Sequence, residues 1–182
     1  MDRLAQWETV PVPELDALPS VVSSRSQALL PRQVFPVHTH RWNQLVYATS
    51  GALIVAADDA RHVITPEQAI WIPTGARHST GALNGAAFRN LYIADLPDLG
   101  MPDACAVLAV GPLMRALILE RERCTLQGEQ ARYIDQLNAL ILEQLRRLPV
   151  LDFHLPWPRG AGLQQLCEAL YADPADARSL HD

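Results

Sequence analysis

Cysteine is scarce: the 182 residues hold three, Cys105, Cys124 and Cys167, each isolated. With no CxxC pair, neither a disulfide framework nor a thiolate zinc site is indicated, and a reducing compartment is the simplest setting. Long apolar runs are missing too. Those such as residues 104–110 are broken within about a dozen residues by Gly111-Pro112 and Arg115, short of the ~20 that a spanning helix needs. Met1-Asp2-Arg3 is not followed by an apolar core, so no secretory leader is expected. Positive charge is not in excess. The net charge of −5 argues against a chain that coats the phosphate backbone of nucleic acid. No nucleophile elbow, Gly-rich phosphate loop or paired-carboxylate signature appears, so hydrolase chemistry and a nucleotide cofactor have no support. A cytoplasmic protein with no membrane partner is the expectation.

What is present suits one sizeable domain: 49% of residues are hydrophobic and 19% charged, an ordinary globular balance. Fourteen prolines punctuate mainly the first hundred or so residues, as short strands joined by tight turns require. Residues 1–20 read as an extended arm, because proline fixes its own φ and biases its predecessor away from helix. The alternatives there are a disordered tail and an arm packed over a barrel mouth. Strands are expected over residues 21–30, 33–38, 43–49, 52–57, 60–65, 69–73, 78–83 and 87–93. Their separators are Ser50-Gly51, Asp58-Asp59, Thr65-Pro66-Glu67, Thr74-Gly75 and Asn84-Gly85, the last being the strongest hairpin signal. About eight strands at roughly ten-residue spacing predict a mainly β double-sheet jelly roll or small barrel over residues 21–110, with room for a small ligand.

After residue 93 the pattern changes to a loop at 96–100 and a last strand at 106–110. Pro112 suits the first turn of a helix over residues 113–123. A longer helix is expected over 128–147, with Ile134, Leu137, Leu140, Ile141, Leu145 and Leu148 at 3-4 spacing. Ile134, Ile141 and Leu148 repeat every seven residues, which suits either a helix–helix seam or packing on the barrel. The helical segment 111–149 gives way to a proline-marked linker, 150–160. A short amphipathic helix follows at 161–171 with Leu163, Leu166 and Leu170, and Asp173-Pro174 stops it.

The chemistry concentrates between Pro36 and Gly81. His38 and His40 are two apart, which on a strand is one face, and Gln44 and His78 are candidates to reach the same spot from a second strand pair. Three imidazoles and an amide oxygen would make a divalent metal site or a hydrogen-bonded pocket floor. Trp42, Tyr47, Trp71, Arg89 and Tyr92 are the candidate pocket walls, aromatic bodies with polar tips; core packing is the alternative for each. His62, beside a turn, and His154, in the linker, are expected to be solvated, as are the faces bearing Arg121 to Arg123 and Arg146-Arg147.

His38-x-His40-x3-Gln44-x6-Gly51 resembles the first cupin motif, with Gln in the usual Glu position, and Pro73-x-Gly75-x2-His78 resembles the second. Arg32 and Glu67 stand where a Gly usually opens each motif, and Ala82 where Asn usually ends the second. With the Trp71-Ile72-Pro73 strand and the later helices, residues 20–182 resemble the sensor half of AraC-type bacterial transcription regulators. The resemblance implies a cupin barrel, or double-stranded β-helix, followed by two helices and a C-terminal extension, residues 161–182, that begins a helix-turn-helix domain. It further implies a small-molecule effector, a homodimer, and DNA contact only through a C-terminal domain absent from this chain. A divalent transition metal (Zn, Ni, Fe or Cu) at His38, His40, Gln44 and His78 is an associated expectation. The competing reading is a free-standing metal-dependent cupin enzyme, a dioxygenase or isomerase, in which the ion polarises substrate or binds oxygen. A metabolite-binding module without an output domain is the third. Gln44 removes one negative charge from the would-be ligand set and the C-terminal extension has no use in an enzyme, so the sensor is preferred, with no catalytic residue assigned.

Overall fold

A computed structural model describes residues 7–57, 60–151, 158 and 160–172. The first six arm residues, the Asp58-Asp59 turn, His154 and most of the linker, and residues 173–182, with the expected Asp173-Pro174 stop and the start of a further helix, lie outside the described residues.

Ten strands form two five-stranded sheets. One sheet orders β1 (Glu8–Thr9), β3 (Gln33–His38), β8 (His78–Ala82), β5 (Leu53–Ala57) and β6 (Ala60–Ile64). The other orders β10 (Ala106–Ala109), β7 (Gln68–Ile72), β4 (Asn43–Gly51), β9 (Ala86–Ile93) and β2 (Val22–Leu29). Among the described strands, β5 and β6 are the consecutive pair that hydrogen-bonds; elsewhere from β2 to β9 each strand is followed by one in the opposite sheet. The fold is therefore the expected cupin jelly roll, and Asn84-Gly85 is not a hairpin turn. It carries the chain from β8 in one sheet to β9 in the other.

That crossing explains Gly51. Residues 51 and 85 both have left-handed backbone (φ 71 and 85), and the two corners touch. A Cβ on Gly51 would lie 2.2 Å from the carbonyl oxygen of Gly85, so the first motif ends on Gly for space as well as for φ. Arg32, standing where the first motif usually has Gly, itself holds φ 62. The left-handed turn is kept there without the residue that adopts it freely.

The second sheet is buried on both faces. Its inner face supplies Val46, Ile70, Ile72 and Phe88 to a core closed by Phe35, Leu53, Val55 and Ile64 of the first sheet. Its outer face supplies Leu45, Tyr47, Trp71, Leu91 and Ile93 to a core closed by two helices, α1 (Pro112–Gln127) and α2 (Ala131–Leu145). Alternate residues of one strand thus serve two cores, which is why Leu45 to Ala48 of β4 are all apolar and buried instead of alternating.

Pro112 begins α1 as its lack of an N–H favours. The helix runs on to Gln127 because Gly128, in left-handed conformation, caps it with its N–H on Cys124 O at 3.1 Å. The second helix consequently starts at Ala131, three residues after the expected 128. Ile141 is fully buried and Ile134 and Leu148 pack on the same core, so the seven-residue repeat faces the protein's own barrel. Leu119, Leu126, Tyr133 and Leu140 are the apolar residues of this layer left exposed, along with Leu113. Past α2 the linker's first residues return to the sheet: Leu151 N–H donates to Val107 O at 2.8 Å, and Ala109 N–H to Pro149 O at 2.9 Å.

Two expectations of solvated side chains are corrected. His62 lies inside the barrel on β6 at 7% exposure, because it shares a face with Ile64. Arg121 is 5% exposed, because it falls one turn from Leu117 and Cys124 on the stripe of α1 that faces the sheet. Its guanidinium donates to Val22 O at 2.7 and 3.1 Å, to Asn138 Oδ1 at 2.9 Å, to Thr125 Oγ1 at 2.7 Å and to Ser20 Oγ at 3.0 Å. One buried cation thereby ties both helices to the edge strand β2. Helix α3 (Ala161–Ala172) lies near the outer face of the first sheet, where Glu168 approaches Arg32 at 3.7 Å; its Leu163, Leu166 and Leu170 are exposed.

Candidate functional site

The two motif halves meet at one end of the barrel. Strand β3 ends on His38, beside a register irregularity, and faces His78 of β8. His40 sits just past the strand, so it is a loop and not a shared strand face that returns it to the same spot. The second motif's turn fixes that loop. Gly75 N–H, at a φ of 78, donates to His40 O at 3.0 Å, and Thr74 N–H donates to Asn43 Oδ1 at 3.0 Å. The three rings converge, with centroids 4.3 Å apart for His38 and His78, 5.0 Å for His40 and His78, and 6.2 Å for His38 and His40.

Each imidazole has its tautomer set by a backbone carbonyl. Nδ1 of His38 lies 2.9 Å from Pro36 O, Nδ1 of His40 2.6 Å from Trp42 O, and Nδ1 of His78 3.0 Å from Ala76 O. A carbonyl only accepts, so Nδ1 carries the proton and each neutral ring turns an Nε2 lone pair the other way. Burial, with the neighbouring imidazoles, lowers His78 from 6.5 to about 4, and burial also lowers His40. Nε2 of His78 is buried without a partner.

Nε2 of His40 lies 2.6 Å from Gln44 Oε1, and Gln44 Nε2 donates to Asn90 Oδ1 at 2.9 Å. Asn90 Nδ2 continues to Gln27 Oε1 on β2 and, at 3.4 Å, to the Tyr92 hydroxyl. A neutral His40 has one N–H and has spent it on Trp42 O. Its Nε2 is satisfied when Gln44 presents NH2 instead, and Asn90 then turns to donate to Gln44 and accept from Gln27 and Tyr92. The buried amides form one chain whose direction is set at His40.

A cavity of about 720 Å³ opens over these groups. His38, His40, Gln44, Trp42 and Tyr92 line one side, and the arm residues Val12 to Asp16 line the other. Trp42 stacks on His40 (centroids 5.7 Å, planes 6° apart) and meets Tyr92 edge-on at 5.9 Å. Of the five candidate wall residues, Trp42 and Tyr92 reach the cavity. The other three do not, because their strand register turns them outward. Tyr47 and Trp71 pack in the helix-facing core, with Trp71 Nε1–H on Pro102 O at 2.9 Å, and Arg89 pairs with Glu122 of α1. Asn90 and Gln27 escaped sequence reading; the arm follows the packed-arm alternative, though none of its residues was singled out. The pleat alternation from Tyr92 would have given Asn90 once one inward residue of β9 was known.

The donor types suit a divalent transition ion, though as the side chains stand they do not form its ligand set. Among the described residues no group of three or more His, Cys, Asp or Glu side chains is set to hold one, and the Nε2 of His40 is already engaged by Gln44.

A family model described as the AraC-like ligand binding domain matches residues 20–95. That matched stretch, the larger part of the barrel, is similar to this family. The HTH-type transcriptional regulator NimR of Escherichia coli K12 is 29% identical over 141 residues, 78% of this chain and 51% of its own length. The chain thus spans about half the length of the curated relative it matches. In fold, the barrel and its helices resemble ToxT of Vibrio cholerae O395, crystallised with (E)-4-(8-methylnaphthalen-1-yl)but-3-enoic acid. That likeness covers 90% of this chain and 70% of ToxT at a TM-score of 0.55 and 8% identity. A cupin superfamily protein from Desulfitobacterium hafniense also aligns, over 43% of this chain and 72% of its own, at 14% identity and a TM-score of 0.41. No helix among the described residues is long and apolar enough to cross a membrane.

Proposed function

We propose that this chain is the effector-sensing and dimerisation half of an AraC-type transcription regulator, working in the cytoplasm without catalysis of its own. The observation that carries the reading is the placement of the cavity. It is closed by the N-terminal arm on one side and floored by a sheet whose other face holds α1 and α2. A small molecule there contacts the arm and the sheet together, so its differential affinity for two arrangements of arm and helices biases whatever the helices engage. DNA contact we assign to a part outside this chain, on the likeness to a regulator described as HTH-type. The exposed Leu119, Leu126, Tyr133 and Leu140 are the apolar surface we assign to a second copy of the chain. The test is limited proteolysis of the arm with and without a pool of candidate effectors, beside the Trp42→Ala variant. Protection of the arm that Trp42→Ala abolishes supports the sensor. Turnover of a ligand by the purified chain would favour the cupin enzyme instead.

A divalent ion at His38, His40, Gln44 and His78 is a separate proposal. Its support is that all three Nδ1 atoms are tied to carbonyls, the arrangement that orients metal-binding imidazoles. Bound there, an ion would supply a fixed positive charge to orient an effector's oxygen atoms. Absence of stoichiometric metal after chelator-free purification rejects it.

A further inference from the structure

Resting on the reading of the cavity as an effector site, we infer that its ligands are organic cations of the amine or amidine class, carrying an apolar or aromatic body, and not carboxylates.

The Nδ1–H groups of His38, His40 and His78 are consumed by Pro36, Trp42 and Ala76 carbonyls. Nε2 of His40 is engaged by Gln44 and the covered Nε2 of His78 lies outside the cavity lining, so the ring that offers the cavity a lone pair is His38. A lone pair is complemented by an N–H or O–H donor. The arm adds two carboxylates to the opposite wall, Glu14 and Asp16, and neither is held in an ion pair among the described residues. Trp42 and Tyr92, edge to face at 65°, form the kind of aromatic corner that attracts a cation through the ring quadrupole.

The opposing groups are few. Arg41 lines the cavity, leaving the lining at a formal −1 from Glu14, Asp16 and Arg41. Arg25 approaches from β2 but donates to Glu14 O at 3.5 Å and interacts with Tyr92. The indole N–H of Trp42 is covered and unpaired, so it does not present itself to a ligand. An anion here would face two carboxylates and the His38 lone pair, with Arg41 as its one cation in the lining.

The experiment uses the full chain after chelator treatment, at low ionic strength, with three probes of similar shape: benzylamine, benzyl alcohol and benzoate. Calorimetry and thermal shift are read on wild type, on Trp42→Ala and on the double variant Glu14→Gln/Asp16→Asn, whose side chains are exposed and outside both cores. The inference expects benzylamine to bind, the double variant to weaken it by about five- to tenfold, Trp42→Ala to abolish it, and benzoate not to bind. Benzoate binding as tightly as benzylamine and lost in Trp42→Ala overturns the cation class while leaving the effector cavity standing. Amine binding that survives Trp42→Ala, or that ignores the double variant, overturns the inference, as does binding of none of the probes. A requirement for added divalent metal before any probe binds also overturns it, in favour of the ion.

Discussion

Gly51 and Gly75 allow the packing of the barrel corners to be measured by subtraction. Both hold left-handed backbone, at φ 71 and 78, so alanine at either incurs the same conformational cost, about 1–2 kcal/mol. Both also gain about 0.4–1 kcal/mol from a stiffer unfolded chain. Their surroundings differ. A Cβ on Gly75 meets nothing within 4 Å, whereas one on Gly51 lies 2.2 Å from Gly85 O and 3.0 Å from Ala86 Cα, both backbone atoms. Backbone held in a sheet corner does not swing aside as a side-chain end would, so an overpacking cost of about 1–3 kcal/mol adds to Gly51→Ala alone. Gly75→Ala should therefore cost about 1 kcal/mol and Gly51→Ala about 2–4 kcal/mol. Urea unfolding of the two variants measures this through the midpoint, with an unchanged slope confirming that the unfolded ensembles compare. Equal costs, or a larger one at Gly75, would refute the view that the two sheet crossings press on each other at residue 51.

Arg121→Met should destabilise by about 2–4 kcal/mol, since it strands Asn138 Oδ1 inside the helix–sheet core. Adding Asn138→Leu should restore part of that loss, and strict additivity in the double-mutant cycle would contradict the assigned network. His78, lowered to about 4 from 6.5, is neutral when folded and takes up a proton more readily when unfolded. Stability assigned to it is thus full above pH 6.5 and falls as the pH drops toward 4, by about 3 kcal/mol in all. In chelator, His78→Gln should flatten that part of the pH profile relative to wild type; parallel profiles would be the wrong result. Leu126→Glu with Leu140→Glu should convert a dimer to a monomer in sedimentation while moving the melting temperature little, because both side chains are exposed in the protomer. A dimer that persists would exclude this helical face.

Strand positions were legible because turn chemistry is local. Proline, glycine and Asn-Gly mark where the chain must bend, and β3 runs over residues 33–38 as expected. Which sheet a strand enters is not local. Asn84-Gly85 carries the same turn residues whether it closes a hairpin or crosses between sheets, and only partners far along the chain decide. Side-chain direction was hidden for a related reason. In β4, β7 and β9 both faces are largely buried, so the alternation that normally marks inside and outside is erased, and Tyr47, Trp71 and Arg89 could not be told from Trp42 and Tyr92. Arg121 was concealed differently, in a run with Glu122 and Arg123 that looks solvated until its place on the buried stripe of α1 is known. The histidines were found through spacing, although the loop that holds His40 in place is bonded by Gly75 and not by strand geometry.

The same two-faced burial bears on how the cavity and the helices share structure. On β9, Asn90 belongs to the amide chain and Tyr92 lines the cavity, while Arg89 and Leu91 between and beside them reach the helices. On β4, Gln44 lines the cavity and Leu45 packs under the helices. A rigid sheet cannot tilt one set of side chains without the other, since both hang from one backbone. The edge strand β2 carries this furthest. It is bonded on one side only, to β9, and it is held from within by Asn90 on Gln27 and from without by Arg121 on Val22 O. It is one of the two edge strands of that sheet, and it carries an anchor to each core. Displacement of Gln44 by a ligand reaches Gln27 through a single intervening side chain.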